Sequence, residues 1–344
     1  MADESYELRP TQVADAAALN ALYERLTGRR RSVEQWRWEW IDVPGGPAPS
    51  WVIAERASGR VVGHHGLVPV PLARAGRALR GARTENTMVA PEHRERFYYP
   101  AFEAQLLREI APRFDILYTC AGKSVQAAMR RRLGYKPAGL WETWTTSESP
   151  AHRAARDAGR AGALALRPWA ALARKAPPAG WQLDEGPALE RVEGLWRLAA
   201  ADFALAPRRD VGFLRWRLLE NPYHRFSLAI AREGGADRGF LAWREERAGR
   251  AGLRVVVEDL FVRGNDEPGC RAALQLLAWR YRAAPARVLV RTTAVDRALR
   301  RAAFALAPRS RREPVGDGAE LLVRSELLAP GEPWDATALI DEGL

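Results

Sequence analysis

Apolar residues crowd into short runs in "WVIAE" and "VVGHHGLVPV", whereas they recur every three or four positions in "AAALNALYERL" and "VEQWRWEW". A short apolar run bounded by a turn reads as a strand, and the second spacing lines one face of a helix. Along the first half these spacings predict a strand at 6–10 and helices at 14–27 and 33–42. Strands follow at 51–56, 61–72 and 78–90, then a helix at 100–111, a strand at 114–120, a helix at 124–133 and a strand at 135–146. Ala75-Gly76 reads as the hairpin turn between two of the strands. "FDILYTCA" is apolar with a β-rich middle and predicts a strand buried on both faces.

From 181 the same order begins again. Helices are predicted at 188–201 and 211–220, strands near 227–232, 238–245 and 253–262, a helix at 269–283, a strand at 286–292, a helix at 295–302 and a last strand near 319–326. The residues themselves repeat. "SVEQWRWEWIDVP" from Ser32 aligns without a gap on "DVGFLRWRLLENP" from Asp210, an offset of 178. "VIAERASGRVVG" matches "LAIAREGGADRGF", "ENTMV" matches "EDLFV", and "MRRRLGY" matches "LRRAAF". The offset shrinks to about 169 along the chain, as small loop deletions produce. Two copies of one unit account for this most economically.

The repeat assigns the tryptophans of the first segment. Ser32 or Asp210 is the expected N-cap, Ser32 with Gln35 forms a capping box, and Pro44 or Pro222 follows the helix. Val33, Trp36 and Trp40 share a face whose second-copy residues are Val211, Leu214 and Leu218, so these positions are expected in the core. Trp38 and Trp216 keep the indole in both copies, beside Arg37 and Arg215. Two roles are open for them: an anchor beneath a loop, or the wall of a pocket beside an acceptor site.

Composition narrows the partners. Lys+Arg number 53 against 42 Asp+Glu, a net charge of +11, yet only Lys123, Lys136 and Lys175 are lysines. Arginine rising together with alanine also follows from codon bias, and no nucleic-acid-binding motif is present, so a nucleic-acid partner is not expected. The acidic start "MADESYELRP" does not read as a signal peptide, and no apolar run approaches the roughly 20 residues of a membrane span. Cys120 and Cys270 make no disulfide framework. The expectation is a soluble cytoplasmic protein. His64 and His65 alternate across a strand and do not meet at one metal, and Gly122-Lys123-Ser124 lacks the upstream glycine of a P-loop. Residues 149–180, rich in Ala, Arg, Gly and Pro, form either a linker packed between the copies or a basic amphipathic helix lying on a partner.

The succession resembles the GNAT superfamily of acyl-CoA-dependent N-acyltransferases, in both halves. "ELRP" before a helix, the hairpin "WVIAERASGRVVGHHGLVPV", the segment "ENTMVAPEHRER" and "KSVQAAMRRRLGYKP" carry the resemblance, the last two most specifically. It implies an α/β fold of two tandem GNAT-like domains, 1–148 and 181–344, joined by the linker 149–180. Each would be a mostly antiparallel sheet with flanking helices and a parallel, splayed fourth/fifth strand pair. The resemblance also implies acetyl-CoA, or another acyl-CoA, bound by the backbone of Thr87, Met88 and Val89 as an added strand. A loop of Arg94, Glu95, Arg96, Phe97, Tyr98 and Tyr99 would cradle the pyrophosphate. Glu85 and Asn86 fall where a base acts through water.

The sequence also departs from the family pattern. Phe97 and Tyr99 stand where the loop has small residues, and the second loop carries Asp266 and Glu267. The position of the family's tyrosine acid holds Arg130, or Arg300 in the second copy. The first reading is therefore transfer of an acyl group to a primary amine on a small molecule, with the first copy binding the cofactor; a homodimer is compatible with it. Two other readings stay open: a binding module that has lost catalysis, and a transferase using an aminoacyl-tRNA donor.

Overall fold

The computed structural model describes residues 5–94, 99–121, 124–145, 176–247, 253–282, 286–293, 297–306 and 320–328, with Trp334, Asp335, Thr337 and Leu339. The first half runs β1 (Tyr6–Pro10), α1 (Ala16–Thr27), α2 (Val33–Trp40), β2 (Ser50–Glu55), β3 (Val61–Arg74) and β4 (Arg77–Val89). Then come α3 (Tyr99–Ile110), β5 (Ile116–Ala121), α4 (Ser124–Arg132) and β6 (Lys136–Thr145). The second half runs β7 (Trp181–Glu185), α5 (Leu189–Ala199), the short β8 (Ala206–Pro207), α6 (Val211–Leu214), β9 (Phe226–Glu233), β10 (Ala236–Arg247) and β11 (Leu253–Val262). It closes with α7 (Glu267–Arg280), β12 (Ala286–Thr293), α8 (Arg297–Leu306) and β13 (Glu320–Arg324). The linker expected between the halves lies, up to residue 175, outside the described residues.

Local chemistry explains most of these boundaries. Ser32 Oγ accepts the Gln35 N–H at 3.0 Å, and Gln35 Oε1 accepts the Ser32 N–H at 2.8 Å, so the expected capping box starts α2. Asp210 occupies the same position before α6 but caps nothing with its side chain; it pairs with Arg208 at 2.9 Å instead. Beyond Leu214 the chain widens into a π-helical turn, Arg215–Leu219. Ala75 and Gly76, with φ of 46° and 79°, make the β3–β4 turn with both central residues left-handed, which suits the twist of a two-residue hairpin. Trp36 and Trp40 are buried as expected, but Val33 is exposed, because it sits in the first turn where the helix has not yet met the core. Trp40 lies flat enough on the sheet that a Cβ at Gly66 would fall 2.0 Å from its ring, so that position admits only glycine.

One sheet collects the strands in the order β1-β2-β3-β4-β5-β13-β6-β12-β11-β10-β9-β7, with β8 pairing off β3. The two outer runs mirror each other, and in each the parallel pair is the inner one, β4–β5 and β11–β12. The centre departs from the expected order. β13, expected to close the second half, pairs antiparallel with β5 through Glu320↔Ala121 to Arg324↔Leu117. β6, expected to close the first half, pairs with β12 through Thr145↔Leu289 to Trp141↔Thr293. The halves have exchanged their last strands, and β6 also pairs with β13, so the sheet is continuous. Periodicity specifies that a segment is a strand but not which exposed edge it joins.

A shared core lies between the helices of the two halves. It contains Trp36, Trp38 and Trp40 together with Trp196, Phe203, Trp216 and Phe261. At its centre the Trp38 and Trp216 rings stack at 4.8 Å and 19°. Each indole N–H donates to the other's backbone carbonyl, both at 2.9 Å. The contact is isologous, as expected where two equivalent surfaces meet about a two-fold. Of the two roles left open by the sequence, the tryptophans take that of an anchor, and what they anchor is the other copy.

Trp38→Ala removes the stack and one of the paired hydrogen bonds, and is expected to lower the unfolding free energy by about 3–5 kcal/mol. Urea denaturation followed by circular dichroism measures it. A loss under about 1 kcal/mol, the size of an ordinary surface change, would exclude the pair as a principal tie between the halves.

Candidate active site

β4 and β5 begin side by side and then part. Their parallel register covers Gly81↔Ile116, Ala82↔Leu117 and Arg83↔Tyr118 only. Beyond Arg83, β4 continues to Val89 and β5 to Ala121, and among the described residues no strand pairs with the β4 edge that faces β5. A β-bulge drives the separation. The β3–β4 register passes from His64↔Met88 to Gly66↔Glu85, leaving one extra residue on β4, and Asn86 takes φ of 47° to absorb it.

The opening holds a cavity of about 440 Å³. Glu85, Asn86, Thr87 and Met88 of β4 form one wall, and Thr119 and Cys120 of β5 the other. The end of α1 and its following turn contribute Tyr23, Leu26, Thr27 and Arg29, and α4 contributes Gln126, Met129 and Arg130. The sequence pattern pointed to the β4 residues. It did not point to Tyr23, Thr27, Arg29 or Gln126, because nothing in local spacing says that α1 and α4 close over the same opening. Arg130 was noted only as the residue standing where a tyrosine was expected.

The predicted catalytic pair lies at this cavity. The Glu85 carboxylate is buried and ion-paired with Arg83 at 2.8 Å. The Asn86 carbonyl lies 3.0 Å from His64 Nδ1, while Asn86 Nδ2 is buried without a hydrogen-bond partner among the described residues. Of the predicted cofactor residues, Thr87 and Met88 line the cavity and Val89 ends the strand. Arg94 donates from Nε to the Val89 carbonyl at 3.0 Å, so it folds back over the strand end. Tyr99 begins α3, buried against His65 and Phe102. Glu95, Arg96, Phe97 and Tyr98 lie outside the described residues.

Behind the bulge sits a buried polar layer. His64 and His65 point to opposite sides of β3, as strand geometry requires. His64 meets the Trp40 ring at 4.9 Å, and His65 lies 2.6 Å from the Tyr99 hydroxyl. Burial pushes the His64 imidazole down to about 4, against the help of its bond to the Asn86 carbonyl. Burial, reinforced by the Arg130 charge, holds His65 well below the usual histidine range. Both rings are neutral at physiological pH. Nearer the seam, burial raises the Glu39 carboxyl, countered by the Arg31 charge and by the hydroxyl of Tyr223 from the second half, which donates to it.

The second half builds the same opening and fills it. Glu258 and Asp259 stand where Glu85 and Asn86 stand in the repeat, and both are fully buried. Glu258 binds Arg217 at 3.1 Å and Arg244 at 2.7 Å. Asp259 takes a bidentate pair from Arg209, at 2.8 and 3.0 Å, and a hydrogen bond from Thr337 Oγ1 at 2.8 Å. Thr337 also bridges to Thr292 of β12, and the Leu339 carbonyl accepts from Arg217 at 3.1 Å. Thr337 therefore sits between β11 and β12 where the first half has its cavity. A smaller cavity of about 280 Å³, walled by Trp36, Trp40 and Trp51, lies away from either parallel pair, at the edge where β1 meets β2.

No family model matches the sequence, and no curated protein matches it. Solved structures do. A GCN5-related N-acetyltransferase from Anabaena variabilis superimposes with a TM-score of 0.64 at 15% identity, over 93% of this chain and 72% of that one. One from Kribbella flavida gives 0.58 at 14%, again over 93% and 72%. Eis1 from Mycobacterium abscessus gives 0.53 at 16%, over 83% of this chain and 64% of that one. Identities this low establish the fold: the chain has the mixed α/β fold of GCN5-related N-acetyltransferases, with the parting β4–β5 pair in place.

Two predictions follow from the buried groups. His64 titrates near 6.5 when unfolded and near 4 when folded, so the native state binds fewer protons between those values. Its contribution is whole above about pH 6.5 and is lost as pH falls toward 4, about 3 kcal/mol in all. Urea denaturation across that range, compared with His64→Gln, should show a shallower fall in the variant. Asp259→Asn leaves Arg209 buried without its counter-charge and is expected to cost about 3–5 kcal/mol, read as a lowered Tm.

Proposed function

We propose that the protein is an acyl-CoA-dependent N-acyltransferase working through its first half, with acetyl-CoA the expected donor and a primary amine on a small molecule the acceptor. The observation that carries this reading is the asymmetry of the two parallel pairs: the β4–β5 opening holds a cavity of about 440 Å³, and the β11–β12 opening is filled by the chain itself. Within this reading the chain is organised as domains 1–148 and 181–344 about the linker 149–180, with β6 and β13 crossing between them.

The residues present suit a pantetheine arm. The free edge of β4 from Glu85 to Val89 offers backbone groups to its amides, and Asn86 Nδ2 is a buried donor still lacking an acceptor. Arg94 stands at the strand end, where the phosphates of CoA would lie. When bound, the acyl-CoA supplies a thioester, an activated acyl group with a thiolate leaving group. The amine nitrogen would form a bond to the acyl carbon as the carbon–sulfur bond breaks, and the proton lost by the amine would pass by way of Glu85 to the departing thiolate. Glu85, fixed by Arg83, accepts a hydrogen bond from the amine and receives that proton as positive charge grows on nitrogen.

Isothermal titration with acetyl-CoA and CoA tests the reading. Micromolar binding is expected, weakened at least about tenfold by Arg94→Glu, which reverses one phosphate contact. In a thiol-release assay with a panel of primary amines, Glu85→Gln is expected to lower kcat about 10²-fold with cofactor affinity kept. Absence of binding at millimolar acetyl-CoA would return the protein to a binding module without catalysis. Binding of aminoacyl-tRNA that weakens steeply with salt would move it to the alternative donor.

A further inference from the structure

We propose that the acceptor is a small amine that also carries an oxyanion, a carboxylate or a phosphate, and that Arg29 and the Tyr23 hydroxyl hold this oxyanion beside Glu85. The inference rests on the acyltransferase reading and names the substrate class of the same cavity.

The charges around the opening cancel except for one. Of the residues that line it, Glu85, Arg29 and Arg130 carry charge. Glu85 is balanced by Arg83 at 2.8 Å, and Arg130 by the wholly buried Glu103. Arg29 is exposed, and its guanidinium has no ion pair or hydrogen bond among the described residues. Arg94 stands apart, folded on the Val89 carbonyl at the end of β4.

The end of α1 places Arg29. Gly28, with φ of 72°, closes the helix in the left-handed conformation, and its N–H donates to the Glu24 carbonyl at 2.8 Å. Thr27 Oγ1 accepts the Arg29 N–H at 3.1 Å and donates to the Tyr23 carbonyl at 2.8 Å. That threonine ties the residue after the cap to the last turn, and the side chains of Tyr23 and Arg29 both line the cavity.

The Tyr23 ring is fixed from behind. Arg31 lies 4.5 Å over its face and is itself held by Glu39 and by Asn20 Oδ1 at 2.8 Å. Burial, and then the Glu39 charge, raise Tyr23 above the ordinary phenol range against the Arg31 and Arg29 charges, so it keeps its proton. Its hydroxyl has no hydrogen-bond partner among the described residues, and the charges of both Arg29 and Glu85 reach it. Two donors and one carboxylate therefore share this part of the cavity. A guanidinium offers an oxyanion two N–H bonds in one plane, and the phenol adds an O–H. An amine without an anion leaves Arg29 unneutralised, and a diamine is repelled by it.

A thiol-release assay compares acceptors that differ in the anion: β-alanine against β-alaninamide, and O-phosphoethanolamine against ethanolamine. Wild type is expected to prefer the anionic member, and the pair with the larger preference tells carboxylate from phosphate. Arg29→Gln should cut that preference about tenfold through KM, with kcat nearly kept, the size of a charge-assisted hydrogen bond. Arg29→Glu should turn the preference toward 1,3-diaminopropane, and Tyr23→Phe should weaken it about threefold. Because Arg29 is exposed and unpaired among the described residues, its variants are expected to keep the wild-type Tm. Equal use of both members of each pair overturns the inference and leaves the acyltransferase reading standing. It is also overturned if Arg29→Gln weakens acetyl-CoA binding tenfold and leaves the acceptor preference unchanged, since the arginine then serves the cofactor phosphates. If no amine is acylated, the acyltransferase reading fails, and saturation-transfer NMR on the same four compounds tests the oxyanion subsite separately. Binding of an anionic member that Arg29→Gln abolishes supports the subsite; no binding to wild type overturns it.

Discussion

Two stacked indoles, each bonded to the other's backbone, hold this molecule in its working arrangement. Trp38 and Trp216 bury their rings against one another and leave neither N–H without an acceptor. The two reciprocal hydrogen bonds fix the angle between α2 and the π-helical turn as well as their distance, since each donor must reach a carbonyl on the far side. Around the pair the shared core closes, and the hairpin of the first half reaches the second: Ala75 N–H donates to the Phe203 carbonyl at 3.0 Å, and β8 pairs with β3. The exchanged strands β6 and β13 then run across the same seam. A seam of this kind is a core cut by no solvent, so neither half is expected to keep its shape alone.

On this symmetric frame the two openings have diverged. Both follow from the same cause, a parallel pair that separates after a few residues. In the first half the separated strands face a cavity lined by backbone edge, hydroxyls and an amide. In the second, acidic residues at the matching positions have recruited Arg209, Arg217 and Arg244 into the interior, and Thr337 lies between the strands. Buried ion pairs bring little net stability compared with apolar packing, but each member enforces the others, because any one left alone is costly. That makes the second opening hard to reopen by a single change, whereas the first keeps its cavity.

Much of this was legible in the chain. The strand and helix order, the Ala75-Gly76 turn, the capping box at Ser32 and the burial of Trp36 and Trp40 follow from residues close together in sequence. The resemblance singled out Glu85, Asn86, Thr87 and Met88, and all four line the cavity. What escaped was everything supplied from elsewhere: Tyr23 and Arg29 from the end of α1, the Glu103 partner of Arg130, and the neutral His65 that bonds Tyr99. Val33 was misplaced because a helical stripe does not say where along its length the core begins.

By itself, then, the sequence determined a doubled succession of strands and helices, since period, turn chemistry and caps act over a few residues. Only the tertiary structure decided which edge each last strand joined, which of two equivalent openings stayed empty, and what the twin tryptophans faced. Those outcomes depend on competition between distant segments for the same backbone edge or the same buried charge, and no local pattern records who wins.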